Sequence, residues 1–133
     1  MIVADTNLIA YLLVTGPYTD EAEAVYEKDP EWVAPLFWRS EFRNVLVLSV
    51  RRGLLSLQNA FDVMERAERM MKGREHQTAS AGILRLASDS GCSAYDCEFV
   101  ALALELNVPL VTSDNALIRK FKPTAVSMRA FCA

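Results

Sequence analysis

Two short apolar runs, Met1–Ala4 and Pro109–Thr112, each lead into an aspartate that opens a helical pattern. Asp5 precedes Leu8, Ile9 and Leu12 at helical spacing, and Asp114 precedes a short helix from Asn115 to about Lys120. Runs this short and this uniformly apolar read as strands covered on both faces, and strands buried on both faces belong to parallel sheets clothed in helices. Trp32-Val33-Ala34 reads as a third strand, stopped by Pro35. Between the strands lie helices. One is expected from Thr19, as N-cap, to about Lys28. Another runs from about Leu36 to Arg52, closed by Arg51-Arg52-Gly53. Ser56 caps a third, through Phe61, Met64, Ala67 and Met71 to Lys72-Gly73. A weak strand at Glu75–Thr78, a helix over Ala79–Ser90, a helix capped by Ser93 and a last strand at Thr124–Met128 complete the chain. The expectation is one α/β domain over residues 1–133, a three-layer α/β/α sandwich around a central parallel sheet of four to five strands.

At 133 residues, with 52% apolar and 23% charged side chains, the chain can bury a full core and is neither disordered nor fibrous. Fourteen basic against seventeen acidic side chains leave a net charge of −3. Gripping nucleic acid by bulk charge requires the opposite sign, so any such contact must be local or bridged by a metal. The N-terminus lacks a basic region before its apolar stretch, and the longest apolar run, Leu8 to Val14, is far too short to span a bilayer. Cys92, Cys97 and Cys132 form no metal-type pair and are expected as small core residues. Together these features predict a reduced, cytoplasmic domain with no membrane association.

Several chemistries are excluded. Gly16, Gly53, Gly73, Gly82 and Gly91 are too scattered to cradle a phosphate. Gly91-x-Ser93 has Tyr95 where a nucleophile elbow needs its second glycine. His76, the one histidine, stands in a polar stretch without a partner and is expected in a solvated loop.

Carboxylates remain, in unusual places. Asp5 and Asp114 follow strands, and Asp96 sits in the first turn of the helix capped by Ser93. In a parallel sheet these positions converge at the carboxyl edge, where ligands bind. Glu41 falls on the stripe Phe37–Glu41–Val45–Leu48, which points a carboxylate along the apolar face of its helix. Each acid also has a local reading: Asp5 and Asp114 as N-caps, Asp96 as the acid of a capping box, Glu41 turned to solvent at the rim. Four acids gathered at one edge repel one another, and a divalent cation is what usually holds such a group. An all-oxygen donor set favours Mg²⁺ or Mn²⁺ over zinc.

The stretches Val3-Ala-Asp5-Thr6-Asn7, Pro35-Leu-Phe-Trp-Arg-Ser-Glu41 with Asn44-Val-Leu, Ser93-Ala-Tyr95-Asp96 running into Val100-Ala-Leu-Ala, and Leu110-Val-Thr112-Ser-Asp114 carry a resemblance over the whole chain. The sequence resembles the PIN-domain family of metal-dependent nucleases, most closely the VapC-type toxin ribonucleases of toxin–antitoxin pairs. The resemblance implies catalytic, metal-holding acids at Asp5, Glu41, Asp96 and Asp114, with Thr6, Asn7 and Thr112 as polar helpers. It implies a five-stranded parallel sheet, a homodimer, an RNA substrate, Mg²⁺ or Mn²⁺ as cofactor and a cognate antitoxin protein. Asp5 and Asp96 would be direct ligands, Asp114 would complete the shell, and Glu41 would ligate or orient the attacking water. Arg39 and Arg43 flank Glu41 and are candidates for RNA phosphates, against an ordinary solvated helix face. Trp38 is expected in the core. Residues 53–90 carry no family motif.

Three rivals are weighed against this reading. A phosphoacceptor receiver domain wants an acidic pair after strand one, where this chain has Asp5-Thr6. A phosphatase of the haloacid-dehalogenase type needs D-x-D, where it has Asp5-Thr6-Asn7. A catalytically silent PIN fold acting as an interaction module is opposed by the presence of all four acids.

Overall fold

The computed structural model describes residues 1–133. Strand β1 (Ile2–Ala4) gives way at Asp5 to helix α1 (Thr6–Leu13), and α2 (Thr19–Lys28) leads to β2 (Trp32–Pro35). Helices α3 (Trp38–Arg51) and α4 (Leu57–Met71) precede β3 (Glu75–His76). Then come α5 (Ser80–Ser90), α6 (Ala94–Leu106), β4 (Leu110–Val111), α7 (Asn115–Lys120), β5 (Ala125–Val126) and α8 (Met128–Cys132). The chain is the expected α/β/α sandwich, and its sheet has five strands.

All five strands are parallel, in the order β3-β2-β1-β4-β5. Every residue of β1, β2 and β4 is buried. Pro35 is tolerated in β2 because the ladder to β3 uses its neighbours: Ala34 N–H donates to Arg74 O and Leu36 N–H to His76 O. From β1 the chain builds outward through β2 to β3, then crosses back to lay β4 and β5 on the other side of β1. The strand order therefore reverses between β1 and β4, and the crevice at such a switch point is where parallel sheets bind ligands. A receiver domain has the order 2-1-3-4-5, so the topology removes that rival.

Helix α6 lies across β1, β2 and β4 with α5 outside it, while α1, α3 and α4 pack on one another and α2 is held between α1 and α8. Trp32, Trp38, Phe42 and Phe99 are fully buried and anchor the core. No helix is long and apolar enough to cross a membrane.

Four local expectations need correction. Thr19 is not the N-cap of α2; Tyr18 stands there without a side-chain bond, and the Thr19 hydroxyl instead accepts the Gly16 N–H and donates to Tyr11 O. The last strand stops at Val126, because Ser127 caps the unforeseen α8 through the Ala130 N–H. Only Cys97 is a core cysteine; Cys92 is half-buried and Cys132 exposed. His76 lies in the edge strand β3 rather than a loop, fixed by the ladder bond to Leu36.

Candidate active site

At the carboxyl end of β1 the chain must turn into α1, and Asp5 makes the turn. Its Oδ1 accepts the Thr6 N–H at 2.8 Å, and its backbone carbonyl takes the N–H groups of Leu8 and Ile9. Its other oxygen, Oδ2, accepts the hydroxyl of Thr112, which is fully buried at the end of β4. The same Thr112 oxygen accepts the Asp114 N–H at 3.0 Å. Asp114 then caps α7, with Oδ1 accepting from Ala116 and Leu117. The cap readings of Asp5 and Asp114 therefore hold. They do not compete with a site reading, because capping is what fixes these carboxylates at the switch point.

Glu41 arrives from α3. The buried stripe of this helix is Trp38, Phe42 and Leu46, one residue round from the expected Phe37–Glu41–Val45–Leu48. Glu41 thus sits on the shoulder of the stripe, half-buried. Its Oε1 accepts the buried Thr6 hydroxyl at 2.8 Å, and its Oε2 has no protein partner. Asp96 enters on α6, whose N-terminus is set by Ser93 Oγ accepting the Asp96 N–H. Gly91, at φ +74°, ends α5 in the left-handed region and lets the chain turn at once into that cap. A stacked pair, Phe37 on Tyr95 with centroids 5.1 Å apart, ties the starts of α3 and α6 together.

Asp5, Thr6, Asn7, Glu41, Asp96 and Asp114 line one cavity of about 200 Å³, joined by Asn44 and Val45. Four elements distant in sequence deliver four acids to one place. Their electrostatics register the crowding. Burial pushes the Asp5 carboxyl up, the Thr112 hydroxyl and the Thr6 N–H pull it back, and the charges of Asp96 and Asp114 push it further. Burial likewise raises Glu41, opposed by the Thr6 hydroxyl and reinforced by Asp5, Asp96 and Glu98. The donors are all hard oxygen, which suits Mg²⁺ or Mn²⁺. No three of the acids stand close enough together in this structure to hold one ion between them.

Neither candidate arginine lines this cavity. Arg39 is engaged elsewhere: Nε and Nη2 grip both oxygens of Glu75 at 2.6 and 2.7 Å, and Nη1 reaches Glu68 at 3.0 Å. Glu75 also accepts the indole N–H of the buried Trp38. Arg43 borders an apolar groove between α3 and α4. Arg39 is therefore committed to protein partners and its phosphate contact is not carried forward, whereas Arg43 is exposed and makes no ion pair. Two residues were missed. Asn44, which stands in one of the stretches that carry the resemblance but was given no site role, lines the cavity. Glu98 adds its charge to Glu41; an acid inside a strongly apolar helix was visible, but no periodicity linked it to Asp96.

Comparison with known proteins agrees with this fold. The PIN domain family profile matches residues 2–122. Ribonuclease VapC3 of Pyrobaculum aerophilum is 30% identical over 123 residues, covering 90% of this chain and 94% of that protein. Among solved structures, PAE2754 from Pyrobaculum aerophilum superposes with a TM-score of 0.78 at 17% identity, over 98% of this chain and 92% of its own. A toxin–antitoxin complex from Klebsiella pneumoniae gives 0.69 at 17% identity, over 96% and 98%. At these identities the two structures speak to the fold.

Proposed function

Since this chain belongs to the PIN-domain family, we propose that it is a Mg²⁺- or Mn²⁺-dependent endoribonuclease that hydrolyses RNA phosphodiester bonds, acting in the cytoplasm as the toxin of a type II toxin–antitoxin pair. The observation that carries the reading is the convergence of Asp5, Glu41, Asp96 and Asp114 on one polar cavity at the switch point of the sheet. The relative named a ribonuclease, matched over nine-tenths of the chain, supports RNA as the substrate.

Asp5, Asp96 and Asp114 would hold the metal, with Glu41 beside them. When bound, such an ion supplies positive charge to the scissile phosphate and activates water for in-line attack. The protein's own part is positional. Thr112 fixes the rotamer of Asp5 and the backbone of Asp114 with one oxygen. Thr6 holds Glu41 by Oε1 and leaves Oε2 available to accept a proton from the attacking water. Burial keeps the affinity of Glu41 for a proton above that of an ordinary carboxylate, which suits it to that exchange.

A nuclease toxic to its own cell needs an inhibitor. The groove between α3 and α4, lined by Leu46, Val47, Val50 and Met64 and flanked by exposed Leu57 and Phe61, offers an apolar seat for an antitoxin segment. The remaining exposed apolar side chains, Leu84 and Leu104 among them, are available to a homodimer face. The test is cleavage of total RNA by the purified chain with Mn²⁺ against excess EDTA, paired with induction in a host lacking the antitoxin. Metal-dependent cleavage and growth arrest are expected. Cleavage that persists in EDTA, or robust growth with active protein, contradicts the reading.

A further inference from the structure

Beside the acid cavity lies a second, larger one of about 460 Å³, lined by Tyr11, Tyr18, Thr112, Ser113, Asn115 and Arg129 among others. Two independent elements join it to the first. On α1, Asn7 faces the acids while Tyr11, four residues on and so on the same face, faces the second cavity. The two residues are separated along the helix axis by about 6 Å, a little over one turn. In the turn after β4, Asp114 faces the acids while its neighbours Ser113 and Asn115 face the second cavity. Thr112 serves both, binding Asp5 and Asp114 while forming part of the second wall.

The contents of this cavity suit a nucleotide. Tyr11 and Tyr18 form an aromatic pair, centroids 4.9 Å apart and tilted by 43°. Tyr11 Oη lies 3.4 Å from Ser113 Oγ, which fixes the ring against the β4–α7 turn. Tyr18 is 48% exposed, so part of its ring is open to a stacking partner. Ser113 and Asn115 offer hydrogen-bonding groups of the kind that read base edges. Arg129 is 88% exposed and pairs with Glu21, itself on the wall of this cavity, at a loose 3.8 Å, so its guanidinium meets a phosphate by exchanging that partner.

Building on the nuclease reading above, we propose that this tyrosine-lined cavity is a nucleotide subsite: a base of single-stranded RNA stacks on Tyr18, adjacent phosphate meets Arg129, and the neighbouring phosphodiester is thereby laid across the acids. Stacking on an aromatic ring accepts any base and needs it unpaired, so the subsite selects single strands and loops over duplex. It also gives a chain of net charge −3 a means of holding RNA that does not depend on bulk charge.

The test is equilibrium binding of a fluorescein-labelled single-stranded RNA oligonucleotide of mixed sequence in EDTA, together with kcat and KM for its cleavage in Mn²⁺. Tyr18→Leu should weaken binding roughly tenfold and raise KM more than it lowers kcat, as expected for one lost base stack. Tyr18→Phe should retain the affinity, and Tyr26→Leu, on the far part of α2, should leave it unchanged. Arg129→Gln should lower the slope of log affinity against log salt by about 0.7. Tyr18 makes no capping bond and is half exposed, and melting curves check that its variants stay folded. Wild-type affinity and KM in Tyr18→Leu, with cleavage intact, overturn the subsite and leave the nuclease reading standing. Equal weakening in Tyr18→Leu and Tyr26→Leu marks general adsorption and also overturns it. A wild-type protein that neither binds nor cleaves the RNA overturns both readings.

Discussion

The hydroxyl of Thr112 donates to Asp5 and accepts the N–H of Asp114, so one buried side chain ties together the acids on either side of the switch point. Replacing Thr112 by valine keeps the shape and deletes both bonds. The Asp114 N–H is left unpaired and Asp5 loses the hydroxyl that offsets its burial. Thr112→Val should cost about 1–3 kcal/mol in urea denaturation and most of the cleavage activity. Thr112→Ser keeps the hydroxyl and should cost about 0.8 kcal/mol for the methyl group, with activity retained. A valine variant as stable and active as the native chain contradicts the bridging role.

The raised carboxyls of Asp5 and Glu41 set the sign of a pH dependence. An acid whose folded pKa lies above its unfolded value stabilises the fold fully below the unfolded value. That support is lost as pH climbs through the folded one. Glu75 works the other way: the Arg39 hydrogen bonds hold its carboxyl low, so its contribution is lost as pH falls. The acid cavity is isolated by comparing native protein with Asp96→Asn, which removes a charge acting on both Asp5 and Glu41. In EDTA the variant should melt higher than the native chain, with the difference growing from pH 5 to pH 8. Saturating Mg²⁺ at a hundredfold excess over its Kd should stabilise the native protein by about 2.7 kcal/mol, more at pH 8 than at pH 5, and the variant far less. Equal responses of the two proteins remove Asp96 from the site.

The Arg39–Glu75–Glu68 cluster predicts a stability phenotype without an RNA phenotype. Arg39 is partly shielded and bidentate on Glu75, which places it above an ordinary surface pair. Arg39→Gln should cost about 1–2 kcal/mol by urea denaturation and leave the salt dependence of RNA binding unchanged. A shallower salt slope would restore Arg39 as a phosphate contact.

Much of this was legible in the chain itself. Strands such as Ile2–Ala4 announce themselves by unbroken apolarity, and Ser56, Ser93 and Asp114 by local cap chemistry that the structure uses as expected. What escaped depends on contacts between distant segments. Thr19 has the chemistry of a cap, yet its hydroxyl is drawn to Gly16 and Tyr11. The face of α3 that is buried is decided by α1 and α4, so the stripe was misplaced by one residue. Arg39 reads as solvated until β3 places Glu75 opposite it, 36 residues away. The four acids were separable from ordinary caps only because they share one edge of a parallel sheet. That was inferable from strand alternation before any side chain was located.

The most direct measurement is calorimetric titration of Mn²⁺ into the native chain and into Asp5→Asn, Glu41→Gln, Asp96→Asn and Asp114→Asn, with RNA cleavage assayed on each. Asparagine caps a helix as well as aspartate does, so Asp114→Asn removes charge while sparing its cap, whereas Asp5→Asn keeps the Thr6 cap and gives up the second oxygen that accepts the Thr112 hydroxyl. The account predicts that the native chain binds Mn²⁺, that each variant stays folded and binds it more weakly, and that cleavage falls in step. Mn²⁺ binding and RNA cleavage unchanged in all four variants would contradict a common metal site at the switch point.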